Sequence, residues 1–169
     1  MRAFAIPQTE VKRFMGQLLK ETRFDDFAAR SAELTLAVHI AIDGKLEEEP
    51  EEVEETAENK NAPVGKGANG NKGAKWATWA KLRPMVYDLV RNGGKPRFMK
   101  FVFSHGQAAE VHPNAAALFL NLTYEHDRVS FTTATAQREF ALDKSLDEAW
   151  DAWVQDFFAK SGIGIMEPA

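Results

Sequence analysis

No cysteine occurs among the 169 residues. That absence removes disulfides, thiolate metal sites and a cysteine nucleophile together. No apolar run approaches the roughly eighteen residues that mark a membrane-spanning helix. The start, MRAFAIPQTEVKRF, has no long apolar core and no cleavage site, so it does not resemble a secretory signal. With no cysteine either, the cytoplasm is the expected location. A G-x-S-x-G nucleophile elbow is missing, so a Ser-His-Asp hydrolase has no obvious serine. No motif asks for a cofactor.

Net charge is small at −4, but it is unevenly spread. Residues 47–58 hold eight Glu and no Lys or Arg, and residues 59–75 hold Lys60, Lys66, Lys72 and Lys75. The rest carries 21 − 4 = 17 basic and 25 − 8 = 17 acidic groups, so it is neutral. Neither half of 47–75 holds enough apolar surface to offset its ordering entropy, which predicts a disordered acidic and Gly-rich insertion. Its Gly and Lys content suggests a phosphate loop, but there is no Gly-Lys-Ser/Thr, no strand leading in and no apolar helix directly after.

The strongest local signal is SLDEAWDAWVQDFF, residues 145–158. Leu146, Ala149, Trp150, Trp153, Val154, Phe157 and Phe158 recur at offsets of three and four, which puts them on one helix face. Ser145 with Glu148 reads as a capping box, and Gly162 as the left-handed stop. The four rings of this face are large enough to cover a sheet.

Earlier in the chain, RAFAI (2–6) reads as a strand. A second helical stripe runs from a Thr9 cap to about Lys20 through Val11, Phe14, Met15, Leu18 and Leu19. Asp25 and Asp26 in FDDF read as a turn and cap rather than an acid/base pair. Leu34, Leu36, Val38, Ile40 and Ile42 then alternate with more polar residues, as in a strand with one wet face, and Asp43-Gly44 signals a turn.

After the insertion a helix runs to Asn92-Gly93-Gly94. It starts near Arg83, with Pro84 in the first turn, or near Ala77 with a kink at Pro84. RFMKFVF (97–103) is apolar on both faces and reads as a central strand. AALFLNLTY, the turn EHDR, VSFTTATA and REFAL complete a meander, with a bend near Gln137. The threonines at 132, 133 and 135 are strand formers. The expectation is a single α+β domain, mainly an antiparallel sheet with three packed helices, interrupted at 47–75.

VKRFMGQLL with FDDF, the IDG turn, WAKLRP, GGKPRFMKFVF and especially FTTATAQREFALDKSLDEAWDAWVQDFF resemble a family of unknown function from anaerobic Gram-positive bacteria. The resemblance covers about two-thirds of the chain and skips the insertion. It implies one compact cytoplasmic domain with a variable insertion, and no activity.

Three functional readings follow. From Lys81 to Lys100, six cations (Lys81, Arg83, Arg91, Lys95, Arg97, Lys100) face Asp88 alone, with Trp76, Trp79, Tyr87 and Phe98 interleaved. Positive charge with stacking rings is how single-stranded nucleic acid is often held. The bland alternative makes the rings core and the charges solvated. In the first reading, the neighbouring Glu run would act as an electrostatic cover on this patch. A second reading is protein association through a sheet edge at 33–42, in an element order that resembles half of a DNA sliding clamp by analogy only. A third is a metal-dependent hydrolase with His105, Glu110 and His112 as ligands, Asp127 and His126 being the nearest candidates to complete them. A solvated polar loop explains the same residues. The expectation is a non-enzymatic binding or accessory module, with nucleic acid or another protein as its partner and no membrane; the sequence does not give its oligomeric state.

Overall fold

The computed structural model describes residues 1–47 and 75–167. The 47–75 insertion, and the acidic cover expected of it, lie outside these residues apart from its two ends. Six strands form one antiparallel sheet: β1 (Arg2–Ile6), β2 (Ala28–Thr35), β3 (His39–Asp43), β4 (Phe98–Ser104), β5 (Ala115–Glu125) and β6 (Arg128–Gln137). Their order is β1-β6-β5-β4-β2-β3, so strands from before and after the insertion interleave. Among the described residues the three long helices are α1 (Val11–Leu19), α2 (Trp79–Asn92) and α4 (Ser145–Lys160), and α3 (Ala108–Val111) is a single turn. The class is α+β, as the patterning predicts. No described helix is long and apolar enough to cross a membrane.

The sheet register explains the core. Phe4, Phe131, Leu122, Phe101, Ala32 and Ile42 stand in one row across all six strands, and all but Ile42 are buried. The long helices pack on this face. Phe158 of α4 stacks on Phe131 with centroids 4.6 Å apart, Phe14 of α1 stacks on Phe158, and Trp79 of α2 sets its edge against Phe101 and Phe103. The adjacent row, Ala3, Thr132, Asn121, Val102, Ser31 and Asp43, belongs to the other face and stays half-buried or exposed. Among the described residues the long helices therefore cover one face only. β4 is central as expected, but of its apolar residues only Met99, Phe101 and Phe103 are buried, while Phe98 and Val102 lie on the open face.

Several local expectations need correction. Leu34 to Ile42 is not one strand but a hairpin, with residues 36–38 joining β2 to β3. Asp43-Gly44 is no hairpin turn. At Gly44 the chain passes so close to β2 that a Cβ would lie 1.7 Å from the Ala29 carbonyl oxygen. REFAL is a loop: paired amide bonds between Asn114 and Glu139, and between Gln137 and Ala141, hold it with Phe140 80% and Leu142 86% exposed. Ser145 forms no capping box. Asp143 takes both the Ser145 N–H and hydroxyl, and these bonds hold its carboxyl below the usual carboxylate range.

The end of α4 is as its residues dictate. Gly162 has φ +75°, and the Ile163 and Gly162 amides donate to the Phe158 and Ala159 carbonyls, closing α4 in a Schellman motif. α2 starts at Trp79, so Pro84 lies inside it and the Ala80 carbonyl receives no amide from that position. A 3₁₀ turn (Gln8–Glu10) replaces the expected Thr9 cap before α1.

Candidate ligand-binding clefts

The aromatic face of α4 splits into two ridges. Leu146, Trp150, Val154 and Phe158 are buried against the sheet, whereas Trp153 and Phe157 are half-buried and line a cleft of about 510 Å³ with Arg23, Asp26, Phe27 and His105. Trp153 stacks between Trp150 and Phe157, at 5.1 and 5.4 Å, and Phe27 meets both Trp153 and Phe157 edge-on. Such mutual stacking fixes ring positions before any ligand arrives. Arg23 lies 4.9 Å over the Phe157 ring, and donates from Nε to the Ser161 hydroxyl and from Nη2 to the Phe157 carbonyl.

His105 follows β4 directly, and its backbone amide donates to the Leu118 carbonyl. Its ring sits edge-on to Trp153 (4.9 Å) and Trp150 (5.9 Å). Nδ1 accepts the Gln107 N–H at 2.9 Å, so in the neutral ring the proton is on Nε2. Burial lowers its pKa, with Glu110 acting weakly in the opposite direction.

A second cleft, about 780 Å³, lies beside the first and shares Asp26, His105, Gly106 and Gln107 with it. Its most unusual occupant is Arg30, the extra residue at the bulge where β2 pairs with β4. The Arg30 guanidinium is clamped between the rings of Trp76 (4.4 Å) and Phe119 (5.1 Å). Nε donates to the buried Ser104 hydroxyl at 3.1 Å, and no carboxylate pairs with Arg30 among the described residues. Burial lowers its pKa from the usual arginine value. Arg138 lines the same cleft and uses Nε on the Ala115 carbonyl, which leaves its terminal nitrogens toward solvent or a ligand. Lys75 adds a third cation at the rim. Opposing them are Asp26 and Glu110, and Glu110 is engaged when the Gln107 amide nitrogen faces it, 2.8 and 2.6 Å from the two carboxylate oxygens.

The six cations of 81–100 do not share one surface. Lys81, Arg83 and Arg91 ride on α2, on the helical side of the sheet, whereas Lys100 lies on the open side. Arg83 forms a two-pronged pair with Asp25, Lys95 pairs with Asp127 at the β5–β6 turn, and Arg91 approaches Asp88 at 3.7 Å. Lys81, Arg97 and Lys100 have no carboxylate partner among the described residues. Of the interleaved rings, Trp79 is fully buried and donates its indole N–H to the Leu18 carbonyl, so it cannot stack on a base.

The histidines also part company. His112 is engaged at both nitrogens, Nδ1 accepting the Asn114 N–H and Nε2 contacting the Ser145 hydroxyl at 3.0 Å. Among the described residues no three His, Asp or Glu side chains are placed to hold a metal, and His105, Glu110 and His112 are no exception. The Ser145–His112 contact is not a hydrolase dyad. With Nδ1 accepting, Nε2 carries the proton and donates to the serine, whose own proton goes to Asp143 at 2.6 Å. An activated nucleophile requires the opposite direction, serine to imidazole.

Sequence reasoning missed Arg30, Arg138, Trp153 and Phe157 as cleft residues. One signal for Arg30 was readable: in AARSAEL the two polar residues Arg30 and Ser31 are adjacent, which breaks the period of two as a bulge does. No curated protein and no solved structure matches the chain. The family of unknown function DUF5721 matches it over residues 17–165, nearly the whole chain including both clefts, and the protein belongs to that family.

Proposed function

We propose that this protein is a non-enzymatic binding module for an anionic ligand with a planar ring, of the nucleotide or single-stranded nucleic-acid type. Its binding site is then the paired clefts rather than the 81–100 run. The observation that carries the reading is Arg30, held between two rings and left without a carboxylate partner among the described residues. A partly desolvated guanidinium with free terminal N–H groups suits the bidentate geometry of phosphate. Arg138 supports it from the same cleft, and the half-buried edges of Trp153 and Phe157 next door give a base an apolar wall to lie against. A cytoplasmic location accords with the lack of cysteine. A bacterial origin rests on the family resemblance.

The test titrates a labelled single-stranded oligonucleotide and, separately, a nucleoside triphosphate into the full chain at low salt. Binding that weakens about tenfold in Arg30→Ala and in Arg138→Ala, a loss of roughly 1.4 kcal/mol, is the expected result. Lys81→Ala and Arg97→Ala are expected to leave it unchanged. Equal losses in all four variants would return the site to the basic run. Absence of binding by both ligands would end the reading. The arm that binds more tightly separates free nucleotide from strand.

A further inference from the structure

β3, HIAID, is an edge strand whose chemistry is symmetric about its centre. It pairs on one side with β2, and among the described residues no strand pairs with its other side. The opposite edge of the sheet is treated differently: β1 exchanges two backbone bonds with Met166 (Ala5 N–H to Met166 O, 2.7 Å; Met166 N–H to Ala5 O, 2.9 Å). An open edge is a template for another strand.

We propose that β3 pairs with β3 of a second copy of this chain, antiparallel and isologous, with Ala41 on the two-fold axis. The argument is the register. In an antiparallel pair centred on Ala41, His39 stands opposite Asp43 of the copy, and Asp43 opposite its His39. Ile40 stands opposite Ile42 and Ala41 opposite itself. Directly opposed residues point to the same face and place their Cβ atoms about 4.5–5.5 Å apart. His39 and Asp43 then meet on the open face as an imidazole and a carboxylate that can share a hydrogen bond, while the isoleucines meet on the covered face. Ile40 and Ile42 are only half-buried in one chain and already lean on its core, so the copy's isoleucines complete their cover. No other in-phase register pairs all five residues. Backbone bonding imposes no conflict, because residues related by this axis have the same parity and so turn their N–H and C=O groups the same way.

A second observation points to the same edge. Val38, 63% exposed, directly precedes β3. In the antiparallel pair Val38 of each copy comes beside the far end of the other strand, which adds apolar contact at both ends of the pair. The paired length is short, because at Gly44 the chain leaves β3 to bridge Trp76 through Lys45. A contact this small gives a dimer that forms and dissociates with concentration. This inference stands apart from the proposed ligand, since β3 contributes no residue to either cleft.

The experiment uses the full chain and the self-pairing of residue 41. Sedimentation of the wild-type protein across a dilution series is expected to show mass rising toward twice the chain mass. Ala41→Lys and Ala41→Glu each place like charges on the axis, so each alone is expected to stay monomeric. An equimolar mixture of the two is expected to regain the mixed dimer, because lysine then faces glutamate. Ala41 is exposed, so both variants should melt like wild type. A wild-type protein that is monomeric throughout overturns the proposal, as do variants that stay dimeric or a mixture that stays monomeric. Should a variant fail to fold, amide exchange of residues 39–43 in wild-type protein decides the matter. Protection that rises with concentration supports the pairing, and protection independent of concentration overturns it.

Discussion

Arg83 and Asp25 join α2 to the turn after α1 through a two-pronged ion pair: Nε to Oδ1 at 2.8 Å and Nη2 to Oδ2 at 3.0 Å. Both side chains are mostly covered, at 18% and 15% exposure, so water screens them less than it does the other ion pairs of the described residues. Removing one partner strands the other charge in a poorly solvated place. Asp25→Ala is therefore expected to cost about 1–3 kcal/mol of folding stability. Asp26→Ala, one residue on but exposed, should cost less than about 0.5 kcal/mol. Urea denaturation of the two variants beside wild type checks the contrast, and equal losses would mean the pair is worth no more than a surface contact.

The fold was readable where physics is local. α4 carries its spacing in its own residues, and Gly162 is the one residue type that adopts φ +75° cheaply, so helix face and stop both follow from sequence. The β2–β3 reversal was hidden for a definite reason. Leu34 pairs with Ile40 across a loop of three residues, so the period of two runs through the hairpin unbroken, although Leu36 is buried and Val38 exposed. Alternation reports faces and cannot report direction. The clefts were hidden because Arg23, Arg30, His105, Arg138 and Trp153 come from five separate segments. Only the sheet order brings them together.

Phe140 and Leu142 illustrate the same limit from the other side. As members of a core strand they would cost several kcal/mol to truncate, on the order of 2–5 kcal/mol each. In the structure they project from a loop tied by Asn114 and Gln137 and make no part of the core. The double variant Phe140→Ser, Leu142→Ser is expected to change stability by less than about 1 kcal/mol. Asn114→Ala, which removes both amide bonds to Glu139, is expected to cost more than the double variant. Thermal melts of the three proteins would show it, and a large loss in the double variant would place these side chains back in the core.

Gly44 needs the space of a hydrogen rather than an unusual dihedral angle. A methyl group there would sit 1.7 Å from the Ala29 oxygen and 2.8 Å from its carbon, and both are backbone atoms of β2. Neither can rotate away. The Gly44 amide also donates to the Arg30 carbonyl at 3.0 Å, and its own carbonyl accepts from Ala77, so it joins the chain before and after the insertion. Gly44→Ala is expected to cost at least about 1–3 kcal/mol by overpacking. Gly106→Ala, with open space around its added carbon, is the control and should be nearly neutral. The readout is the urea midpoint, and similar midpoints for the two variants would contradict the close approach.

His105 gives the fold a pH dependence whose sign can be stated. Burial against Trp150 and Trp153 lowers its folded pKa below the ordinary 6.5, with Glu110 opposing only in part. In the unfolded chain the imidazole takes its proton near that ordinary value, so between 6.5 and the lower folded value the unfolded state binds more protons. Stability contributed by the neutral ring is thus fully present above 6.5 and is lost as pH falls through that window. The lowered carboxyls of Asp127, bonded by Lys95 and Tyr124, and of Asp143, bonded by Ser145, act in a separate window. Their contribution is present above the ordinary aspartate value of 3.8 and disappears below it. His105→Asn keeps an acceptor for the Gln107 N–H but cannot titrate. Folding free energies measured from about pH 7.5 down to about pH 5 should fall for wild type and stay flatter for His105→Asn. Parallel curves would show that the ring is solvated in the folded protein, and with it that the aromatic cleft is more open than its packing implies.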